Sequence, residues 1–140
     1  MNEASDLRLQ DIHVGDRAAL ERTISVSDID TFAQVSGDHG PLHVDEEYAR
    51  TTPFGKRVAH GMFLGALVSQ LVGMQLPGKR ALLLKESLEF KKPVFIGDTV
   101  HIEGVVTGVS AGAGIVALDI KIMVVDTIVA AGSLQAQVRE

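Results

Sequence analysis

Cysteine is absent from the chain of 140 residues, and this absence removes several kinds of chemistry at once. Disulfides, thiol nucleophiles, iron–sulfur clusters and thiolate zinc sites all require cysteine. A chain of this length can bury a hydrophobic core without help from a disulfide or a metal. We therefore expect one domain spanning 1–140 and, because nothing points to an oxidising compartment, a cytoplasmic protein.

Tryptophan is also absent, only one tyrosine is present, and the formal net charge is −5. Nucleic-acid surfaces need a basic field and usually stacking aromatic rings, so we expect no nucleic-acid partner. One local excess of positive charge can be interpreted either as a phosphate-binding surface or as the solvated face of a strand. It comprises Lys79, Arg80, Lys85, Lys91 and Lys92 against Glu86 and Glu89.

No apolar run is long enough to cross a bilayer. The longest, residues 61–76, has 16 residues and contains Ser69, Gln70 and Gln75, whereas a membrane-spanning helix needs about 20 apolar residues. The first residues, MNEASDLRLQ, include acidic side chains and no apolar region of the kind found in a signal peptide. We expect a soluble protein without a membrane partner.

What the chain does contain is one long apolar segment followed by four stretches of alternating pattern. Residues 60–76 are apolar almost all round, which is typical of a helix buried in a core. Gly61, Gly65, Ser69 and Gly73 recur every four residues and form a stripe of small side chains along this helix. Such a stripe allows close packing against a sheet or the approach of an extended ligand, and the pattern leaves both interpretations open.

Each of the four stretches after the helix alternates between apolar and polar residues, as a half-buried strand does. With an earlier strand at 17–24, they predict an antiparallel sheet with one wet face. Helix and sheet together predict an α+β protein of the hot-dog fold, in which an antiparallel sheet wraps around a long central helix. The residues predicted to face inward are Leu84, Glu86, Leu88 and Phe90, then Val100, Ile102 and Val106, then Val116, Leu118, Ile120 and Ile122, and finally Ile128, Ala130, Leu134 and Val138.

A short helix leads into the most distinctive loop of the chain. Ser27 suits its N-cap, Asp30 falls at the third helical position, and Gly37 ends it. The chain then enters GDHGPLHVDEEYAR, whose last six residues predict about one further helical turn.

Asp38 and His43 are five positions apart, a spacing that suits neither a strand nor one face of a helix. A loop must therefore bring them together. Gly37 and Gly40 are free to adopt positive φ, and the proline that follows holds Gly40 out of the helical region. A carboxylate and an imidazole placed side by side can act as an acid–base pair. The alternative is that Asp38 caps the helix beginning near Asp45 and that His43 is an ordinary loop residue.

The chain resembles the MaoC-like family of (R)-specific enoyl-CoA hydratases in three stretches that occur in the same order as in the family. These stretches are SGDHGPLHVDEEYA, FGKRVAHGM and SLEFKKPVFIGDTV. The resemblance runs from about Ser27 to the C-terminus. It implies that Asp38 and His43 are the catalytic pair and that the amide of Gly61 binds the thioester oxygen. The unpaired N–H groups at a helix N-terminus suit such an oxyanion. The resemblance also assigns Ser69 to the substrate site.

The activity implied by the resemblance is the addition of water to a trans-2-enoyl-CoA, giving the (R)-3-hydroxyacyl-CoA. It implies no metal, flavin or nicotinamide; the five histidines show no convincing ligand spacing, and no glycine-rich nucleotide loop follows a strand. The alternatives are a hot-dog acyl-CoA thioesterase, a 3-hydroxyacyl-carrier-protein dehydratase, and a catalytically silent acyl-CoA-binding protein. The silent alternative rests on Gly40, because the family commonly has Asn there, in Asp-x-Asn-Pro-Leu-His, and the hydratase is the preferred interpretation.

Three expectations concern the substrate tunnel and the assembly. We expect a homodimer, by resemblance and because the sheet offers an exposed edge. The accepted acyl-chain length should depend on how Leu67, Leu71 and Val72 close the tunnel. The residues expected to hold the CoA phosphates at its mouth are Arg57, Lys79 and Arg80.

Overall fold

The computed structural model describes residues 3–140, so the first two residues of the predicted domain lie outside it. Its main feature is an antiparallel sheet with the strand order β1-β3-β4-β5-β2. The strands are β1 (Arg17–Thr23), β2 (Ala81–Phe90), β3 (Thr99–Ser110), β4 (Ile115–Val124) and β5 (Thr127–Val138). The helices are α1 (Val26–Ser36), α2 (Pro41–Val44), α3 (Glu46–Arg50) and α4 (Gly61–Met74), and a 3-10 turn spans Leu9–Asp11.

Helix α4 lies against the inner face of this sheet. It contacts both edge strands, β1 and β2, and also β3, the neighbour of β1, so the sheet wraps around it. The alternating residues of the long strands point towards it, for example Ile102, Leu118 and Leu134, each of which is almost completely buried. These side chains and the apolar side of α4 form one core. The α+β hot-dog fold predicted from the sequence is confirmed.

The predicted inward position of Leu84 is wrong, because a β-bulge interrupts β2. The pairing of β2 with β5 shifts register between Leu83 and Lys85. An extra residue in one strand reverses the side to which the next side chain points. Leu83 therefore packs against the core, whereas Leu84 is 50% exposed.

The same effect corrects the prediction for Ile128. Ile122 pairs with Ala130 and Met123 pairs with Ile128, so Val129 is an extra residue in β5. Val129 and Ala130 are both buried, and Ile128 is 37% exposed. The predicted inward faces of β3 and β4 need no such correction, because their apolar positions are buried.

Helix α1 begins two residues earlier than the sequence pattern suggested. Its N-cap is Ser25, whose Oγ accepts a hydrogen bond from the N–H of Asp28, while Asp28 accepts one from the N–H of Ser25. The hydrogen-bonded guanidinium of Arg22 also holds the pKa of Asp28 below its usual value. The pairs Ser25/Asp28 and Ser27/Asp30 have equal spacing, so both match a capping box. The structure uses the first pair and leaves Asp30 for another partner.

Helix α4 has a buried side and an exposed flank in the single chain. On the buried side, a Cβ at Gly65 would lie 3.3 Å from the carboxylate of Glu86 in β2, so this glycine permits close packing against the sheet. Burial raises the pKa of Glu86 above its usual value. The exposed flank includes Met62, Ala66 and Ser69. Among the described residues, no helix is both long and apolar enough to cross a bilayer.

Candidate active site

Asp38 follows the end of α1 and is held in a tight turn. Gly37 terminates the helix with a φ of 78°, a left-handed conformation that suits glycine. The N–H of Asp38 donates to Ser36 Oγ at 3.1 Å, and its Oδ1 accepts from the N–H of Gly40 at 3.0 Å. Within residues 3–140 nothing donates a hydrogen bond to Oδ2. The side chain is exposed, so this oxygen is available to a water molecule.

His43 lies on the one-turn helix α2 and not in an irregular loop as the sequence suggested. Pro41 occupies the first helical position, where its missing N–H costs no hydrogen bond. Gly40 is the N-cap, with φ −51° and ψ 127°, so it does not use the positive φ that was expected there. It does stay outside the helical region, as the following proline requires. The turn carries the side chain of His43 back towards Asp38.

The hydrogen bonds of His43 determine which ring nitrogen faces the site. Its Nδ1 lies 2.7 Å from the carbonyl oxygen of Val58, which can only accept. Nδ1 therefore carries the hydrogen, and Nε2 keeps a lone pair in the neutral ring. An orienting carbonyl on Nδ1 is the usual way to fix the tautomer of a histidine that acts through Nε2.

The structure brings Asp38 and His43 together. One nitrogen or oxygen atom from each of Asp38, His43 and His60 lies within 4.8 Å of the others. The alternative that Asp38 caps the helix beginning near Asp45, which is α3, is wrong. Asp45 caps α3 itself, with its Oδ1 accepting from the N–H of Tyr48 at 3.1 Å.

His60 is a member of the cluster that the sequence did not single out. It is 2% exposed, and its Nε2 lies 2.9 Å from the carbonyl oxygen of Asp38. Its ring stacks on that of His43, with centroids 4.0 Å apart and planes 23° apart, and it meets the ring of Phe32 edge-on. Stacked rings direct their in-plane lone pairs side by side and not towards one point, which is a poor arrangement for a shared metal ion. The only signal for His60 in the sequence was its place in VAHGM, directly before Gly61.

Gly61 is the first residue of α4, one residue after the start at His60 that the sequence predicted. Its N–H finds no acceptor within residues 3–140, as is usual in the first turn of a helix. A Cβ at this position would lie 3.1 to 3.2 Å from ring carbons of Phe90, so the glycine allows the ring to approach the helix end. The amide thus stays accessible beside an aromatic wall.

A cleft of about 350 Å³ connects this helix end with His43. Its wall is mainly apolar, and two lysines stand at one side of it. The lining residues are His43, Phe54, Val58, Ala59, Gly61, Leu64, Phe90, Lys91, Lys92, Pro93 and Val94. Lys91 and Lys92 belonged to the basic cluster noted in the sequence, but they were not chosen as phosphate ligands.

Arg57 does not have the environment expected of a phosphate ligand. It is only 7% exposed, its Nε donates to the carbonyl oxygen of His43 at 2.6 Å, and its Nη2 donates to Asp30. A buried guanidinium with these partners has little freedom to bind a large anion. The structure gives it a different task, which is to tie the backbone of His43 to α1.

Lys79 and Arg80 lie beyond the opposite end of α4 from Gly61. Both bind the carboxylate of Asp6, and these hydrogen bonds lower the pKa of Asp6. A helix of 14 residues is about 21 Å long, so within one chain the two basic residues are distant from the Asp38 turn.

The remaining predicted residues all lie on α4. Leu67, Leu71 and Val72 are buried in the core, and the side chain of Leu71 lies beside Gly104 of β3. Ser69 lies on the exposed flank. Their part in a tunnel stays a prediction.

Comparison with known proteins finds several relatives that are named as (R)-hydratases. An (R)-specific enoyl-CoA hydratase from Rhodospirillum rubrum is 49% identical over 108 residues, which cover 75% of this chain and 75% of that protein. An enzyme of the same description from Aeromonas caviae is 42% identical over 113 residues, which cover 81% of this chain and 84% of that protein. A solved structure of an (R)-hydratase from A. caviae involved in PHA biosynthesis has a TM-score of 0.89 and 37% identity, covering 92% of this chain and 98% of that one.

The family resemblance read from the three motifs is also confirmed by a match over most of the sequence. The profile of the MaoC like domain matches residues 11–127. This range contains the Asp38 turn, His43, His60 and the whole of α4. The chain therefore belongs to the MaoC-like dehydratase family.

Proposed function

We propose that this protein adds water to trans-2-enoyl-CoA thioesters and forms (R)-3-hydroxyacyl-CoA. The observation that carries the proposal is the meeting of three groups at one site: the carboxylate of Asp38, Nε2 of His43, and the N–H of Gly61. The relatives named as (R)-specific enoyl-CoA hydratases support the same reaction.

Asp38 and His43 act on the water. Both present acceptors, Oδ2 and Nε2, so one water molecule can donate a hydrogen to each and direct its oxygen at C3 of the enoyl group. Asp38 takes a proton as the C3–O bond forms, and His43 orients the water and relays the proton that is delivered to C2. General acid–base assistance of this kind is worth about 10² to 10⁴ in rate.

Gly61 acts on the thioester. As water adds, the electrons of the C2–C3 double bond move towards the thioester oxygen, which becomes an enolate. The N–H of Gly61 at the positive end of α4 stabilises that charge, and one such donor is worth about 3 to 4 kcal/mol. Protonation at C2 then restores the carbonyl, so one water is consumed and no proton is gained or lost.

The phosphates of CoA bind positive charge at the mouth of the cleft. Lys91 and Lys92 line it beside Phe90 and offer ammonium groups to phosphate oxygens. The proximity of these lysines to His43 favours them over Lys79 and Arg80 of the same chain.

A homodimer gives Lys79 and Arg80 a place in the site. Strand β2 is an edge strand, and its Leu82, Leu84 and Phe90 are each about half exposed. Two copies of β2 can pair in antiparallel fashion about a twofold axis, which would also shield this edge from other strands. The start of one β2 then lies beside the end of the other, so Lys79 and Arg80 of one subunit approach the cleft of its partner.

The test is incubation of the protein with crotonyl-CoA while both the conjugated-enoyl absorbance and the free thiol are followed. We expect the absorbance to fall without release of thiol. A dehydrogenase specific for the (R)-3-hydroxyacyl-CoA should oxidise the product, and one specific for the (S)-isomer should not. Release of thiol would indicate the thioesterase, and neither change would indicate a silent acyl-CoA-binding protein.

The carrier is tested with the same acyl group on CoA and on acyl carrier protein. We expect the larger kcat/KM with CoA, because the two lysines that line the cleft can bind the phosphates of its nucleotide. A larger kcat/KM with the carrier protein would favour the dehydratase alternative.

A further inference from the structure

We propose that His60 is a positioning residue that holds the base, its histidine partner and the thioester-binding amide in one arrangement. The proposal rests on the proposed hydratase function and assigns a residue that this function has not used. His60 is buried, it makes one hydrogen bond to Asp38, and it makes one face-to-face contact with His43.

The hydrogen bond defines the tautomer of His60. The carbonyl oxygen of Asp38 can only accept, so Nε2 of His60 carries the hydrogen. Nδ1 then bears a lone pair, and it is buried without a hydrogen-bond partner among the described residues. A buried nitrogen without a hydrogen-bond partner destabilises the folded state. The chain thus keeps a polar ring here even though one of its nitrogens has no partner among the described residues.

The bond to Asp38 comes from outside its own turn. The other two partners of Asp38, Ser36 and Gly40, are both two residues away in sequence and move with the turn. His60 is 22 residues away and directly precedes Gly61. The backbone of His60 therefore leads directly to the N–H of Gly61, which receives the thioester oxygen. The side chain of His60 holds the turn that contains Asp38.

The stacked ring supports His43 from its face. His43 is held at Nδ1 by Val58 and at its backbone by Arg57, and neither contact prevents the ring from tilting about its hydrogen bond. The ring of His60 lies 4.0 Å from that of His43 and is itself backed by the edge of Phe32. This contact limits the tilt and keeps Nε2 directed at the water site.

The test separates the two contacts by substitution. His60→Leu removes both, His60→Gln keeps an N–H donor at the position of Nε2, and His60→Phe keeps a ring. We expect His60→Leu to lower kcat about 100-fold with KM changed by less than about threefold, since a misplacement of about 1 Å is worth roughly that factor. His60→Gln and His60→Phe should each recover about tenfold of this loss and stay about tenfold below the wild type, because each keeps only one of the two contacts.

Phe63→Leu is the matched control. Phe63 is a buried residue of the same helix turn, it also packs edge-on against Phe32, and it makes no described contact with Asp38 or His43. It should lower the melting temperature and leave kcat within about twofold of the wild type. Equal losses of kcat in Phe63→Leu and His60→Leu would show a general packing effect and overturn the proposal.

A second readout asks whether His60 acts through Asp38. In an Asp38→Asn background, His60→Leu should change kcat by less than about threefold, because groups that act as a unit are not additive. A full additional 100-fold loss would overturn the proposal. If His60→Leu does not fold, the kcat values of His60→Gln and His60→Phe decide, and wild-type kcat in both would overturn it.

A measurement without turnover distinguishes this inference from the proposed function. Two-bond ¹H–¹⁵N spectra of the wild type should show opposite tautomers, with the hydrogen on Nδ1 of His43 and on Nε2 of His60. The reverse tautomer at His60 would overturn the positioning role even if the protein hydrates crotonyl-CoA. Failure of the wild type to hydrate any enoyl-CoA would overturn the proposed function, and this inference with it.

Discussion

At the level of single residues, three of the polar atoms of Asp38 are already engaged. Its N–H, its carbonyl oxygen and its Oδ1 contact Ser36, His60 and Gly40. Oδ2 is the atom left for water. A residue whose backbone is fixed so completely can be changed at its functional atom without disturbing the turn.

Asp38→Asn is expected to lower kcat at least about 10³-fold with little change in KM. The amide is nearly the same size as the carboxylate, and its oxygen can accept the same hydrogen bond from Gly40, but it cannot take a proton from water. His43→Ala should cause a similar loss, and the double variant little more than either alone. Turnover of crotonyl-CoA measures this, with thermal melts as the control for folding. Near-normal turnover in Asp38→Asn would contradict the assignment of Asp38 as the base.

Gly40 lies between the two catalytic candidates, and its backbone angles are open to any residue. A Cβ there would lie 3.1 Å from Oδ1 of Asp38 and 3.4 Å from Cδ2 of His43. Gly40→Ala should therefore lower kcat about tenfold, because the carboxylate must shift by a few tenths of an ångström. Gly40→Asn adds the same Cβ together with the amide usual in the family, and we expect it to be faster than Gly40→Ala. Wild-type kcat in Gly40→Ala would show that Asp38 adjusts freely.

The sequence was sufficient to find the residues of the candidate site that fall in a local motif. Asp38, His43 and Gly61 fall in short signatures, and the structure places them around one site. His60 and Arg57 could not be assigned in the same way. Their partners are 14 to 27 residues distant, so their roles exist only after α1, α2 and α4 have packed together.

At the level of elements, the alternation of apolar residues predicted the strands but not their bulges. A period of two identifies a strand and its inward face. The extra residues near Leu84 and Val129 depend on the register of the neighbouring strand, which the pattern of one strand does not contain. The side chains predicted wrongly are the ones beside these bulges.

The turn between β4 and β5 contains a strained residue. Val125 has a φ of 53°, although it is β-branched and 87% exposed, and it lies in a two-residue turn closed by the pair Val124 and Thr127. Glycine is the usual residue at the first position of such a turn. Left-handed geometry costs about 1 to 2 kcal/mol for a residue with a Cβ.

Val125→Gly is therefore expected to raise the free energy of unfolding by about 0.5 to 1 kcal/mol, after allowance for the greater chain entropy of glycine. Denaturant unfolding measures this. Val125→Ala is the control, since it removes the exposed apolar surface but keeps the Cβ and should gain little. A loss of stability in Val125→Gly would mean that the valine side chain makes a contact outside the single chain.

At the level of the whole molecule, the proposed pairing of β2 strands divides each site between two subunits. A subunit carrying Asp38→Asn and a subunit carrying Lys79→Glu with Arg80→Glu should each form inactive homodimers. In the mixed dimer, one site combines the intact Asp38 of one subunit with the intact lysine and arginine of the other. We expect that site to restore activity, up to about half of the wild-type value per dimer. Mixed dimers that stay inactive would place both sets of residues in the same subunit's site.

In the proposed dimer, pairing through the exposed β2 edge would also make catalysis depend on the concentration of subunits. A monomer has a complete Asp38 turn, but its cleft is lined by Phe90, Lys91 and Lys92 at the end of the edge strand β2, where the proposed partner would pair. Specific activity should then fall on dilution below the dissociation constant of the dimer, and saturating substrate that bridges the two subunits should oppose the fall. The amount of active enzyme in a cell would vary with the square of subunit concentration when the protein is scarce, and in direct proportion to it when the protein is abundant.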